Sequence, residues 1–311
     1  MVHIIGGAKS AVNLFSILSK NKIDSVFYYF KGEYGENKKG GLFFSDSWRG
    51  LENISNNDKV IISSETAFYK LGNEDKGKLE LHYFLRNKLN LSEICKEIKV
   101  NEVKSIIISD IHIDFPIIAK PSESGTGLVP FKFKVLKTQD DLEKVIPYAA
   151  NCIFQPYLNN QMFSQFAIAG YFTGDINSLI IVKQLNQYPV GISSFVKQDE
   201  NGLSNLKTNI ATYLNEIGYR GFIEFEFKFN KKTQNVFLLD VNPRTWGWFY
   251  YYISAINNLE KVIFLNETPV LSLKKCWVNM PRLILSFLNG KFHNPSTMDY
   301  LQNKICYEPI I

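Results

Sequence analysis

The chain is short of the features that mark several large protein classes. It has only four cysteines, Cys95, Cys152, Cys276 and Cys306, far apart and without a CxxC pair. That excludes a zinc knuckle or a disulfide framework and suggests reduced, mostly buried thiols in a cytoplasmic protein. No stretch approaches the roughly 18 uninterrupted apolar residues of a spanning helix. The longest candidate, Trp246 to Ile256, is short and rich in tyrosine. The opening MVHIIGGAKSAVNLFSIL has no basic leader and no small-residue cleavage site, so no signal peptide is expected. Neither charge sign dominates. The 35 basic and 30 acidic residues leave a formal +5 spread along the chain, weak ground for nucleic acid or a membrane surface, and neither is expected as a partner. Anionic small molecules are compatible.

Familiar catalytic signatures are missing as well. GGAKS has no glycine directly before Lys9, so the GxxxxGK[ST] spacing fails. No GxGxxG follows a strand, which disfavours a dehydrogenase. There is no GxSxG, and His3, His82, His112 and His293 stand in no motif, which disfavours a hydrolase triad. His112 and Asp114 share a strand face in DIHIDF, but two residues are too few for a metal site.

What is present is enough apolar material, 45% of 311 residues with 14% aromatics, for one large core or two to three subdomains. The first seventy or so residues alternate strand-like and helix-like runs: HIIGG, Ala8 to Ser19, Ser25 to Phe30, Lys59 to Ser63. That rhythm predicts a small parallel α/β layer. The Gly6-Gly7 turn either holds a phosphate or carboxylate at a helix N-terminus or simply turns the chain. Asp75 to Lys99 reads as a linker helix opened by Glu74 and Asp75. Ile106 to Ser109, Val129 to Val135 and Asn151 to Leu158 read as strands, with Gln139 to Ile146 as a helix. Phe163 to Tyr171 and Ser178 to Lys183 read as antiparallel strands, and Leu203 to Ile217 as a helix. After Trp246 the pattern is helical, then irregular.

The most informative stretch is residues 221–248, GFIEFEFKFNKKTQNVFLLDVNPRTWGW. Two alternating strands flank a polar turn at Lys231 to Asn235, a hairpin pattern. A turn symmetric about Thr233 sets Glu226 opposite Asp240 and Glu224 opposite Asn242, with Phe225, Phe227, Leu239 and Val241 on the other face. Opposed carboxylates about 5 Å apart repel by roughly 3 kcal/mol at an effective dielectric of ~20. Either a hard divalent cation neutralises them, or the hairpin faces solvent and Lys228 and Arg244 do so. A strand ending in Lys120, in FPIIAKPSESGTG, runs into a loop whose Gly125 and Gly127 permit closure over phosphates.

These residues, in this order, resemble the ATP-grasp superfamily along essentially the whole chain, with the carboxylate-amine ligases nearest, D-alanine-D-alanine ligase, biotin carboxylase and predicted ATP-grasp carboligases among them. The resemblance implies an α/β (α+β) ATP-grasp fold with a small N-terminal parallel-sheet α/β domain and two subdomains gripping the nucleotide. The units are residues 1–75 as the pre-ATP-grasp domain, 76–158 as linker helix and small subdomain, and 159–311 as large subdomain with the metal hairpin and a tail. It further implies Lys76 and Lys120 as nucleotide lysines, Ser124, Gly125, Thr126 and Gly127 as the phosphate loop, and Phe154 to Leu158 as the hinge, with Gln155, Tyr157 and Leu158 at adenine. Glu226, Asp240 and Asn242 match the metal ligands and Arg244 the arginine that steadies the acyl phosphate, so Arg244 and Lys120 are the catalytic pair. Pro156 stands where the family usually has glutamate, and Asp240 replaces the more usual glutamate. Lys183 is either a further phosphate contact or structural. Trp246 and Trp248, in NPRTWGW, either wall the substrate pocket or belong to the core. Glu224 could face the acceptor amine.

The implied activity is ATP-dependent joining of a small-molecule carboxylate to an amine through an acyl phosphate, with ATP and one or two Mg²⁺ ions, or Mn²⁺ in their place. A nucleotide-binding module and a small-molecule kinase are the rival expectations. Substrate identity and oligomeric state, homodimer included, are open.

Overall fold

The computed structural model describes residues 1–36, 38–106, 113–189, 191–199, 203–290 and 305–309. Three sheets organise it. The first, near the N-terminus, is parallel: β1 (Val2–Ile5), β2 (Ser25–Tyr29), β3 (Gly41–Phe43) and β4 (Lys59–Ile62), in the order β3-β2-β1-β4. Helix α1 (Lys9–Lys20) follows β1 through Gly6, whose φ of 103° and 2.3 Å clearance between an added Cβ and Ser64 Oγ admit only glycine. The buried face of α1 carries Ala11, Leu14 and Leu18; burying each leucine contributes about 2 kcal/mol.

Downstream come β5 (Asn101–Glu102) and then β6 (Ile117–Pro121), β7 (Lys134–Leu136) and β8 (Cys152–Pro156), of which the last three form an antiparallel sheet, β7-β6-β8. The remaining strands are β9 (Phe163–Phe172), β10 (Leu179–Gln187), β11 (Ser193–Gln198), β12 (Gly221–Asn230), β13 (Val236–Asn242), β14 (Cys276–Val278) and β15 (Ile305–Tyr307). With β5 they build one mixed sheet, β15-β14-β11-β10-β9-β12-β13-β5. Period-2 alternation divides its two faces. Ala167, Ala169, Val182 and Phe222 pack toward α1 and the Trp246–Phe249 aromatics, whereas Ile168, Ile181, Phe225 and Phe227 pack on the helix Ser204–Glu216.

Several expectations need correction. The linker helix of Asp75 to Lys99 is broken into Asn73–Lys78, Glu80–Arg86, a 3-10 turn at Lys88–Asn90 and Leu91–Glu97. Asn87 breaks it by accepting a hydrogen bond from the Leu89 N–H in extended backbone, the local alternative to helix that asparagine favours. Val129 to Val135 is strand only from Lys134, because Pro130 cannot donate to a ladder. The irregular tail contains β14, on the edge of β11, and β15 beside it. Ile106 donates to Phe154 O at 2.7 Å without joining a strand; Ile107 to Ser109, His112 and His293 lie outside the described residues. Among the described residues no helix is long and apolar enough to cross a membrane.

Candidate active site

The hairpin pairs Glu226 with Asp240 and Glu224 with Asn242, the expected register at both positions. Two one-residue differences cancel to give it. The turn closes between Lys232 and Thr233, since Phe229 pairs with Val236, and a bulge after Glu226 pairs Phe227 with Leu238. Leu239 is the extra residue. It therefore lines the cavity, contrary to expectation, and Leu238 takes its place in the apolar layer beneath.

Glu224, Glu226 and Asp240 all face one cavity of about 360 Å³ between the three sheets. Removal from water and then the charge of Asp240 push the Glu226 carboxyl up. Glu224 is pushed up further, first by burial and then by Glu226. Its Oε2 accepts from Asn242 Nδ2 at 3.1 Å, while Oε1, buried, has no hydrogen-bond partner. Such a cluster attracts positive charge, and the sheet β7-β6-β8 supplies it. Lys120 on β6 and Lys132 reach the cavity, and Lys228 on β12 lies beside them, its Nζ donating to Asn160 Oδ1. Burial draws Lys120 down and Asp240 partly restores it; burial likewise draws Lys228 down to about 8 against the opposing charge of Glu226.

Lys76 is not brought here. It sits in the last turn of Asn73–Lys78, away from the cavity lining. The lysine that arrives from this region is Lys88, turned inward by the helix break, with Nζ 3.2 Å from Asp240 Oδ1 and 3.4 Å from Ser124 Oγ. Lys183 is also elsewhere. It pairs with Phe166 on the opposite face of the large sheet and lies over that ring, 5.6 Å from its centroid. Of the loop residues only Ser124 lines the cavity. Gly125, at φ 83°, instead rests on the backbone of Glu65, where an added Cβ would approach within 2.7 Å of the carbonyl oxygen. Thr126 Oγ1 accepts from Leu128 N at 3.3 Å, within the loop. Gly127, at φ 76°, has nothing near a Cβ.

Gln155, Pro156, Tyr157 and Leu158 form one wall. Gln155 donates to Val103 O at 2.7 Å and its buried Oε1 has no hydrogen-bond partner. The Tyr157 N–H donates to Pro116 O at 3.1 Å. At the opposite wall Arg244 donates to Glu65 Oε1 at 2.6 Å, to Asn242 Oδ1 at 3.1 Å and to Thr245 O at 2.7 Å. Burial disfavours the charged Glu65 carboxylate, but Arg244, Lys88 and Lys132 outweigh it and hold the group at about 2. Ser10 Oγ lies 2.7 Å from Thr245 Oγ1, which bonds Ser63 Oγ at 3.2 Å. Trp246 and Trp248 are both core and cavity wall: each is almost wholly buried, each touches the cavity, and neither indole N–H has a hydrogen-bond partner.

The donor set suits a hard divalent cation, since Glu226, Asp240 and Asn242 offer only oxygen and carry excess negative charge at one spot. Among the described residues no three His, Cys, Asp or Glu side chains converge on one metal position, so two carboxylates with phosphate and water oxygens is the arrangement they fit. Lys88, Lys132 and Glu65 escaped sequence reasoning. The asparagines around Lys88, in NKLN, were the one signal that could have exposed it.

A parallel layer, an antiparallel three-stranded sheet and a large sheet enclosing lysines and a carboxylate hairpin define the ATP-grasp fold. Solved structures agree. The ADP complex of PurK, an N5-carboxyaminoimidazole ribonucleotide synthetase, matches with a TM-score of 0.65 over 93% of this chain and 84% of its own, at 14% identity. An L-amino acid ligase from Bacillus licheniformis matches at 0.59 over 87% and 75%, also at 14% identity. The biotin carboxylase–β-γ-ATP complex from Campylobacter jejuni matches at 0.54 over 88% and 74%, at 14% identity. No family model and no curated protein matches the sequence.

Proposed function

We propose that the protein is an ATP-dependent carboxylate-amine ligase that forms an amide or peptide bond through an acyl phosphate, releasing ADP and phosphate. The observation that carries this reading is the convergence of Glu226 and Asp240 with Lys88, Lys120 and Arg244 in one cavity. The ligase neighbours with the same fold support it. In this reading Gln155 to Leu158 flank adenine, while Lys88, Lys120 and Ser124 hold phosphates. Mg²⁺, held by Glu226, Asp240 and Asn242, would supply charge neutralisation to the triphosphate.

Phosphoryl transfer needs positioning and charge compensation more than covalent help from the protein. Arg244, fixed from two sides by Glu65 and Asn242, presents a preorganised cation where the acyl oxygen gains negative charge. Walls formed by Trp246, Trp248 and the hinge exclude water that would hydrolyse the activated acyl group.

ADP release measured over a matrix of carboxylates and amines, with mass detection of condensed product, tests the reading. Amine-dependent ADP release with a mass equal to the two reactants less water is expected. A stable phosphorylated product without an amine would make the protein a kinase, and Mg-ATP binding without turnover on any pair would make it a binding module.

A further inference from the structure

Of the three residues that suit a divalent ion, two are already engaged by cations of the protein itself. Asp240 Oδ1 accepts from the Val241 N–H at 3.1 Å and lies 3.2 Å from Lys88 Nζ. Asn242 Oδ1 accepts from Arg244 at 3.1 Å. Arg244 is pinned there, because it also donates to Glu65 and to the Thr245 carbonyl. Lys88 is not pinned in the same way. Its ammonium is a compact charge with three rotatable donors on a flexible stem.

Lys88 also has a second place to turn. Its side chain is 6% exposed and stands between the hairpin and the loop that follows β6, with Ser124 Oγ 3.4 Å from the same Nζ. Its backbone N–H donates to Ser122 O at 3.3 Å, and Arg86 donates to Ser124 O, so lysine and loop are tied together. With one donor toward Asp240 and one toward Ser124, a third is left for an anion entering between them.

A divalent ion on Asp240 would share that carboxylate with the ammonium. Both acceptor positions of Oδ1 are filled, so the ion must displace Lys88 or bind Oδ2 with a like charge on the neighbouring oxygen. Lys120, close enough for Asp240 and Glu226 to act on its charge, adds to the repulsion. A triphosphate changes the balance. Lys88 then has anionic oxygens to donate to, and Asp240 is released for the ion.

We infer that Lys88 is an internal cation that guards Asp240, so that the hairpin takes a divalent ion together with the nucleotide and holds it poorly without one. The inference rests on the nucleotide and metal parts of the ligase reading, not on which bond the enzyme forms. It makes Lys88 a coupling residue: it lowers affinity for the metal alone and raises affinity for the metal–nucleotide complex.

Mn²⁺ titration of the full-length protein without nucleotide, followed by the paramagnetic resonance of the free ion, tests it. Lys88→Met keeps an apolar stem and removes the charge. It should bind Mn²⁺ at least about tenfold more tightly than the unaltered protein, while its affinity for Mg-ATP falls by roughly tenfold. Opposite signs are the signature, since a lysine that served packing alone would lower both affinities or move neither. Lys183→Met removes a cation on the opposite face of the large sheet and should change neither. Equal tightening in Lys183→Met would reduce the effect to net charge and overturn the inference, as would unchanged or weaker Mn²⁺ binding by Lys88→Met. A measurement on the unaltered protein keeps the test valid if Lys88→Met fails to fold. Saturating Mg²⁺ alone should raise acetylation of Lys88 by an N-hydroxysuccinimide ester, read by mass spectrometry, and leave Lys183 as it was; an unchanged Lys88 signal would overturn the inference. Absence of ADP release on every carboxylate and amine pair would overturn the ligase reading and leave the role of Lys88 standing, whereas ADP release with unchanged Mn²⁺ affinity in Lys88→Met would do the reverse.

Discussion

The two ends of the cavity satisfy their polar groups in different ways. At the α1 end most partners are in contact: Glu308 has three donors, and Ser10, Thr245 and Ser63 bond one another. At the hairpin end charges of both signs gather with few direct bonds. Among the described residues no salt bridge reaches Glu226 or Lys120, although both line the cavity. A network that is already bonded adds to stability, whereas one left open keeps its free energy for a ligand.

That contrast predicts where substitutions act. Asp240→Ala and Lys120→Ala should each lower ADP release by about 10²-fold or more, with little change in Tm; near-normal release by either variant would undo the assignment of the hairpin end. Lys88→Ala should weaken Mg-ATP binding by roughly 10-fold or more, while Lys76→Ala leaves it unaltered, as titration of the two variants would read. Equal losses would restore Lys76 to the site.

Between the two ends stands Glu65 with Arg244. A carboxyl held at about 2 against an ordinary 4.5 corresponds to roughly 3 kcal/mol of stability. Because the folded value is the lower one, that contribution is present above pH 4.5 and fades as pH falls toward 2. Denaturant unfolding of Glu65→Gln at pH 7 should therefore show a loss of up to about that size, shrinking under acid. A pH-independent loss would mean that packing, not charge, ties the pair.

The smallest effects carry opposite signs. Ser10→Ala should cost about 1 kcal/mol by removing a made hydrogen bond. Glu226→Gln should stabilise the nucleotide-free protein by roughly 1–3 kcal/mol by removing repulsion. The folded Glu226 carboxyl is pushed up, so the unaltered protein loses stability as pH rises through that raised value, and the Gln variant does not. Thermal melts across pH would show the two curves converging in acid; parallel curves would erase the distinction between the ends.

The hairpin was legible in the chain because alternation and a local turn set register over few residues, and even there the bulge at Leu239 and the shorter turn compensated each other unseen. Lys120 and Arg244 were readable because one stands on, and the other just after, the strand that presents it. Lys88 was not, since helical periodicity continues across the Asn87 break and only tertiary structure turns the side chain inward. The three-residue strands β14 and β15 gave no pattern long enough to detect. Glu308 joins the cavity wall through Asn13, Lys9 and Trp277, hundreds and tens of positions away along the chain.

Arg244 joins Glu65 of the N-terminal layer to Asn242 of the hairpin, and Thr245 adds bonds to Ser10 and Ser63. Parting those two bodies would break the ion pair and the hydroxyl bonds together. The back of the chamber is thus bolted by a guanidinium–carboxylate pair, whereas the β7-β6-β8 side is tied by Lys88 to Asp240, by Arg86 to Ser124 O, by Gln155 to Val103 O and by the contact of Gly125 with Glu65.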